Sequence, residues 1–164
     1  MTDGTAIISP CGRYRYVITR RVPQAVRWVK PMLFVCLNPS VADATVPDPT
    51  LTRCVGYASR ELCTEVTIVN LFAFRATYPK DMRAAADPFG PDNRRHVEEQ
   101  WTLHARIGII VVAWGAHPFA LRSELRKQMS GIGARCLGTT KAGEPRHPLM
   151  VRADEPLVPW TAPN

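Results

Sequence analysis

The sequence has five cysteines, Cys11, Cys36, Cys54, Cys63 and Cys136, but no C-x-x-C pair. Zinc and iron–sulfur sites are usually built on such close spacings, so no metal or other cofactor is expected. Cys36 lies inside an apolar run and reads as a small buried hydrophobe. Long hydrophobic runs are also missing. The longest apolar stretches, such as 107–114, fall well short of the roughly 20 residues that a membrane helix needs. The opening MTDGTAIISP has neither the basic segment nor the long apolar segment of a signal peptide. These absences lead to the expectation of a cytoplasmic protein with no membrane attachment. There is no internal repeat and no low-complexity tract. Lysine is scarce too, with four residues among 21 basic ones.

What is present fits one globular domain. The chain has 164 residues, 46% of them hydrophobic and 21% charged, enough for one core and too short for two. The core is expected over about 10–151, with a proline-rich tail over 152–164 that drapes on the surface; the expected state is a monomer. Net charge is +7 and arginine supplies seventeen of the basic residues. Arginine forks onto phosphate oxygens and stacks on bases, so DNA or a nucleotide is the expected partner. A GC-rich genome enriches arginine as well, and composition does not separate the two explanations.

Periodicity sets the expected architecture. Residues 13–22 alternate as a strand and pair, across Pro23-Gln24, with 25–29. Residues 32–38, 65–74 and 107–115 are nearly continuous apolar runs, the pattern of strands covered on both faces. A shorter strand is expected over 133–140. Helices are expected within 47–64, capped by Asp48 or Thr50, and over 91–106 and 116–131. The sum is an α/β three-layer sandwich: a central, mostly parallel four-stranded sheet flanked by helices, plus an N-terminal β-hairpin.

In such sheets, ligands bind beyond the carboxyl ends of the strands. Those ends carry Asn38-Pro39-Ser40, then Asn70 with Phe72 and Arg75, then Trp114-Gly115-Ala116-His117, and finally Arg146-His147-Pro148. Asparagine at a strand end is also a common turn former, and His-Pro is a common surface turn. The shared location of these residues is what points to a site.

Taken in this order, the residues resemble the uracil-DNA glycosylase superfamily: Asn-Pro after the first core strand, Asn after the second, a strand closing in Trp-Gly, then His-Pro. The Asn-Pro form is similar to its mismatch-specific thymine/uracil branch. The chain resembles more closely a small uncharacterised bacterial and phage family through four motifs: Asn38–Asp43 (NPS-x-AD), Asp48–Cys54 (DPT-x-x-RC), Asn70–Arg75 (NLFA-x-R) and Pro145–Leu149 (PRHPL). The glycosylase resemblance implies that Asn38 places the attacking water, Asn70 reads the base edge and His147 stabilises the leaving base. Pro39, Ser40, Asp43, Arg53, Phe72, Arg75, Trp114, Gly115 and Arg146 are the further substrate-binding candidates. Arg53 holds a phosphate or pairs with Asp48; both alternatives stand. The uracil enzymes carry an aspartate and a tyrosine-histidine pair in the first motif, where this chain has Asn38, Ser40 and Val41. Their serine-rich intercalation loop is replaced by Leu149-Met150-Val151. The resemblance therefore implies a glycosylase-like hydrolase acting on a modified or non-standard base. A non-catalytic nucleic-acid or nucleotide-binding module, and a transferase in phage-type base hypermodification, are the alternatives.

Overall fold

A computed structural model describes residues 4–24, 28–40 and 48–163. The three apolar runs form strands β3 (Pro31–Cys36), β4 (Glu65–Asn70) and β5 (Ile109–Val112). Successive side chains of a strand point to opposite faces, and here both faces are covered. Leu33 and Val35 join one apolar cluster, while Met32, Phe34 and Cys36 join the other. Burying each of these side chains contributes about 1.5–3 kcal/mol.

Strands β1 (Ala6–Ile8), β2 (Arg15–Arg21), β6 (Arg135–Cys136) and β7 (Val158–Pro159) complete a mixed seven-stranded sheet in the order β1-β2-β4-β3-β5-β6-β7. The four strands β4-β3-β5-β6 run parallel. Antiparallel neighbours flank them on each side. The α/β class is as expected, but the sheet is wider and more mixed than a four-stranded parallel one.

Helix α1 (Pro49–Arg60) covers one face with Leu51, Cys54, Tyr57 and Ala58. Helices α2 (Pro79–Ala84), α3 (Asn93–Ile107) and α4 (Glu124–Gln128) cover the other, with Met82, Val97 and Leu125. Asp48 is the cap of α1; its Oδ1 accepts the Leu51 N–H at 2.6 Å. No described helix is long and apolar enough to cross a membrane.

Three expectations need correction. The hairpin partner of β2 is β1, paired from Ala6↔Ile18. Of the expected partner 25–29, residues 25–27 lie outside the described residues, and Trp28 and Val29 are not in a strand. The region 116–131 is not one helix. Pro118, which lacks an N–H, opens a 3₁₀ turn over Pro118–Arg122, and Ser123 in extended backbone separates that turn from α4. The tail does not merely drape. β7 pairs with β6, and Trp160, 3% exposed, packs edge-on against Trp114 with ring centroids 5.2 Å apart. An indole excluded from water outweighs the proline content of the segment.

Candidate functional site

The strand order decides where a site can form. From β3 the chain passes through α1 to β4 on one side. From β4 it passes through α3, on the opposite face, to β5 on the other side of β3. The connections diverge at β3/β5 and leave a crevice beyond the carboxyl ends. A cavity of about 580 Å³ lies there, lined by Asn38, Ser40, Asn70, Trp114, Gly115 and His147 among others.

Its floor is set by backbone zippering. Leu71 and Phe72 donate to the carbonyls of Cys36 and Leu37, and Ala76 donates to that of Pro39, all within 3.0 Å. The Asn38 side chain closes the same seam: Nδ2 donates to Ala76 O at 2.9 Å and Pro39 O at 3.1 Å. Two carbonyl partners identify the nitrogen end of the amide, so Oδ1 is the end left to accept. Asn70 is 2% exposed, and its Nδ2 is enclosed without a partner. Its backbone carbonyl accepts from Asn93 at 3.0 Å, which ties the end of β4 to the first residue of α3.

The opposite wall is built on Trp114 and His147. Trp114 Nε1 donates to Glu144 Oε2 at 2.8 Å, and Arg126 holds both oxygens of that carboxylate. Burial works against the Glu144 charge. The hydrogen bonds from Arg126 and Trp114, with the Arg126 charge, outweigh it and hold the carboxyl below its ordinary value. Gly115 has φ +79°, and a Cβ there would lie 3.3 Å from the His147 Cβ. Glycine thus meets both the left-handed backbone and the close approach. His147 Nδ1 accepts the Leu149 N–H at 3.2 Å. A neutral ring then carries its proton on Nε2 and acts there as a donor.

Burial lowers the His147 pKa, opposed by the Asp48 charge, and keeps the ring neutral near pH 7. Burial also lowers those of His96 and His104. A folded-state pKa below the ordinary 6.5 means that the unfolded chain binds more protons. The stabilisation is complete above about 6.5 and is lost as pH falls from there through the lowered folded values. Urea unfolding at successive pH values should show stability dropping below about pH 6.5. A flat profile between pH 7.5 and 5.5 contradicts this.

The expected site residues divide. Asn38, Ser40, Asn70, Trp114, Gly115, Arg146 and His147 all line the cavity. Phe72 does not; it is fully buried, stacked on Phe119 at 4.8 Å, because the chain turns inward directly after β4. Pro39 is buried beneath the turn rather than among the lining residues. Arg75 is not among the lining residues either; its Nη1 donates to Gly12 O at 3.1 Å. Arg53 makes no ion pair with Asp48. It donates to Val151 O at 3.4 Å and lines a second hollow with Pro49, Thr52 and Leu149. With Tyr57 and Arg60, on the same face of α1, it grips the carbonyls of residues 151–155. Asp43 lies outside the described residues.

Several cavity residues have no expected role, Arg15, His117 and Cys36 among them. Arg15, 3% exposed, lines the floor because β2 runs antiparallel to β4 and so begins where β4 ends. Burial pulls its guanidinium below the ordinary value, opposed by the Asp48 carboxylate. The signal was an arginine inside an alternating strand. His117 stands on the expected rim and lines the cavity too. Cys36 also lines it, with its pKa pushed up to about 12, first by burial and then by Asp48. It is a neutral thiol at pH 7, not a nucleophile. Among the described residues, no three His, Cys, Asp or Glu side chains cluster as a metal site.

Fold and cavity define an α/β protein with a ligand-sized crevice at the switch point of its sheet. The family model described as "Protein of unknown function (DUF1643)" matches residues 15–149, and the chain belongs to that family. Neither the curated proteins nor the solved structures provide a match.

Proposed function

We propose that the protein processes a modified or non-standard base in DNA or a nucleotide, by hydrolysis of its N-glycosidic bond. The observation that carries this reading is the enclosed, partnerless Asn70 Nδ2 at the floor of a cavity walled by an indole and a neutral histidine donor. A buried donor without a partner costs about 1–3 kcal/mol, and an acceptor on a planar ring offsets it. In the reaction, water bonds to the sugar's anomeric carbon as the carbon–nitrogen bond breaks. The bonding pair leaves with the base, and the water's proton ends on that base. Asn38 Oδ1 accepts a hydrogen bond from the water and fixes its direction. It cannot take the proton away. His147 Nε2–H donates to the base as charge builds on it, the kind of preorganised contact that lowers such barriers.

A second reading has its own support. Asp48 is the carboxylate lining the cavity among the described residues, and both its oxygens are engaged, by Leu51 N–H and by Ser40 Oγ at 2.9 Å. Among the described residues the cavity thus holds no carboxylate with an unengaged oxygen, which favours a module that binds without cleaving. Mass spectrometry of the bases released from modified phage DNAs and from nucleotides separates the two. The hydrolase reading expects a free base from at least one of them. Retention of every base together with measurable binding rejects hydrolysis in favour of the module.

A further inference from the structure

We propose that the β5–β6 end of the cavity is a phosphate subsite formed by His117, Thr140 and Arg146. The inference rests on the base-processing reading and narrows its substrate to a phosphorylated nucleotide unit rather than a free nucleoside.

The sheet order lays out the rim. Asn70 ends β4 and Asn38 follows β3. Trp114 to His117 follow β5, and the segment after β6 carries Thr140 and Arg146. From β4 to β6 is three strand spacings, about 14 Å. That leaves room for a ring at one end and a phosphorylated sugar at the other.

Each of the three residues presents a donor. His117 repeats the His147 arrangement: it precedes a proline, and its Nδ1 accepts the Phe119 N–H at 3.2 Å. With Nδ1 accepting, Nε2 is the ring nitrogen left to donate. Thr140 Oγ1 is enclosed and has no partner. Arg146 uses Nε on Thr139 O at 3.1 Å, which steadies the guanidinium and leaves its terminal nitrogens as remaining donors.

Thr140 and Arg146 share a face. Residues 138–146 fold back through the Thr139↔Pro145 bridge, with Thr140 N on Glu144 O and Arg146 N on Gly138 O. Alternation across this antiparallel pair sends 140, 144 and 146 to one side. The acid among them, Glu144, is neutralised by Arg126, so its charge does not oppose an anion. A hydroxyl, an imidazole N–H and a guanidinium suit a tetrahedral oxyanion better than an aromatic ring.

The test titrates inorganic phosphate into the full chain while the histidine ring ¹H–¹⁵N resonances are followed. The His117 resonance should move saturably. Thr140→Val should weaken binding about tenfold. His117→Gln, which keeps an N–H near the Nε2 position, should retain more affinity than His117→Ala. Thermal unfolding checks that each variant is folded. A nucleoside 5′-monophosphate or a short single-stranded oligonucleotide should compete with phosphate, and the free nucleoside should not. Competition by either phosphorylated class supports the subsite and identifies the source of the phosphate. An unmoved His117 resonance, a Thr140→Val protein with unchanged affinity, or a nucleoside that binds as tightly as its monophosphate overturns it. Failure of the base reading looks different: phosphate still binds at His117, but monophosphates of different bases bind alike, in wild type as in Asn70→Ala.

Discussion

Asn38→Ala is expected to slow base release by about 10²–10³-fold, the usual cost of removing one positioned polar group from a reacting centre. The side chain also has a structural duty, because Nδ2 joins the β3 and β4 loops through Ala76 O and Pro39 O. Losing those two bonds loosens the seam by about 1 kcal/mol each. The kinetic pattern separates the two duties. Loss of water positioning lowers kcat and leaves KM near wild type. A loosened seam displaces neighbouring Asn70 and raises KM as well. His147→Ala should match the kcat loss, since it removes the donor that meets charge on the base. Asn70→Asp should change which base is accepted, because an acceptor then stands where a donor stood. A wild-type rate in Asn38→Ala rejects the water-positioning role.

Glu144→Ala carries the largest expected cost in stability. Its carboxylate meets Arg126 and the Trp114 indole inside the protein, with Glu144 and Arg126 both buried. Removing one member of a buried pair leaves an uncompensated charge and typically costs 3–5 kcal/mol, about that much here. For a chain of this size the melting temperature should fall by roughly 10 °C or more. A double variant with leucine at both 126 and 144 should recover much of the loss, since the isolated guanidinium is what the single variant strands. The pH dependence has a definite sign. The Glu144 pKa is held below 4.5 in the folded chain, so its stabilisation is full above that value. It is lost as pH falls through the lower folded value, and the alanine variant should lack this acid-sensitive component. A loss under about 1 kcal/mol would show that Trp114 and the 138–146 segment are held by packing alone.

Much of the cavity was legible from residue order. Apolar runs marked β3, β4 and β5, because strands buried on both faces cannot alternate. The rule that parallel sheets bind ligands at their carboxyl ends then brought Asn38, Asn70, Trp114, Gly115 and His147 together. All five line the cavity. Phe72 and Arg75 were drawn in by proximity in sequence to Asn70. The inward turn after β4 sends one into the core and the other toward Gly12. Arg53 was placed by charge, yet its position on α1, one and two turns from Tyr57 and Arg60, commits it to the 151–155 backbone.

The sequence by itself determined the α/β class, the three central strands, a helix start at Asp48 or Thr50 and most of the rim that lines the cavity. These follow from local rules: periodicity, capping and the direction of parallel strands. Only the tertiary structure decided that β2 pairs with β1 and β4, which brings Arg15 to the floor. It also decided that Trp160 closes the core against Trp114, and that Glu144 is matched by Arg126. The Glu144–Arg126, Trp160–Trp114 and β2–β4 pairings join residues 18, 46 and 44 to 50 positions apart. Such partners are chosen by the packing of the whole chain, through competition among many possible contacts, and no local pattern records the outcome.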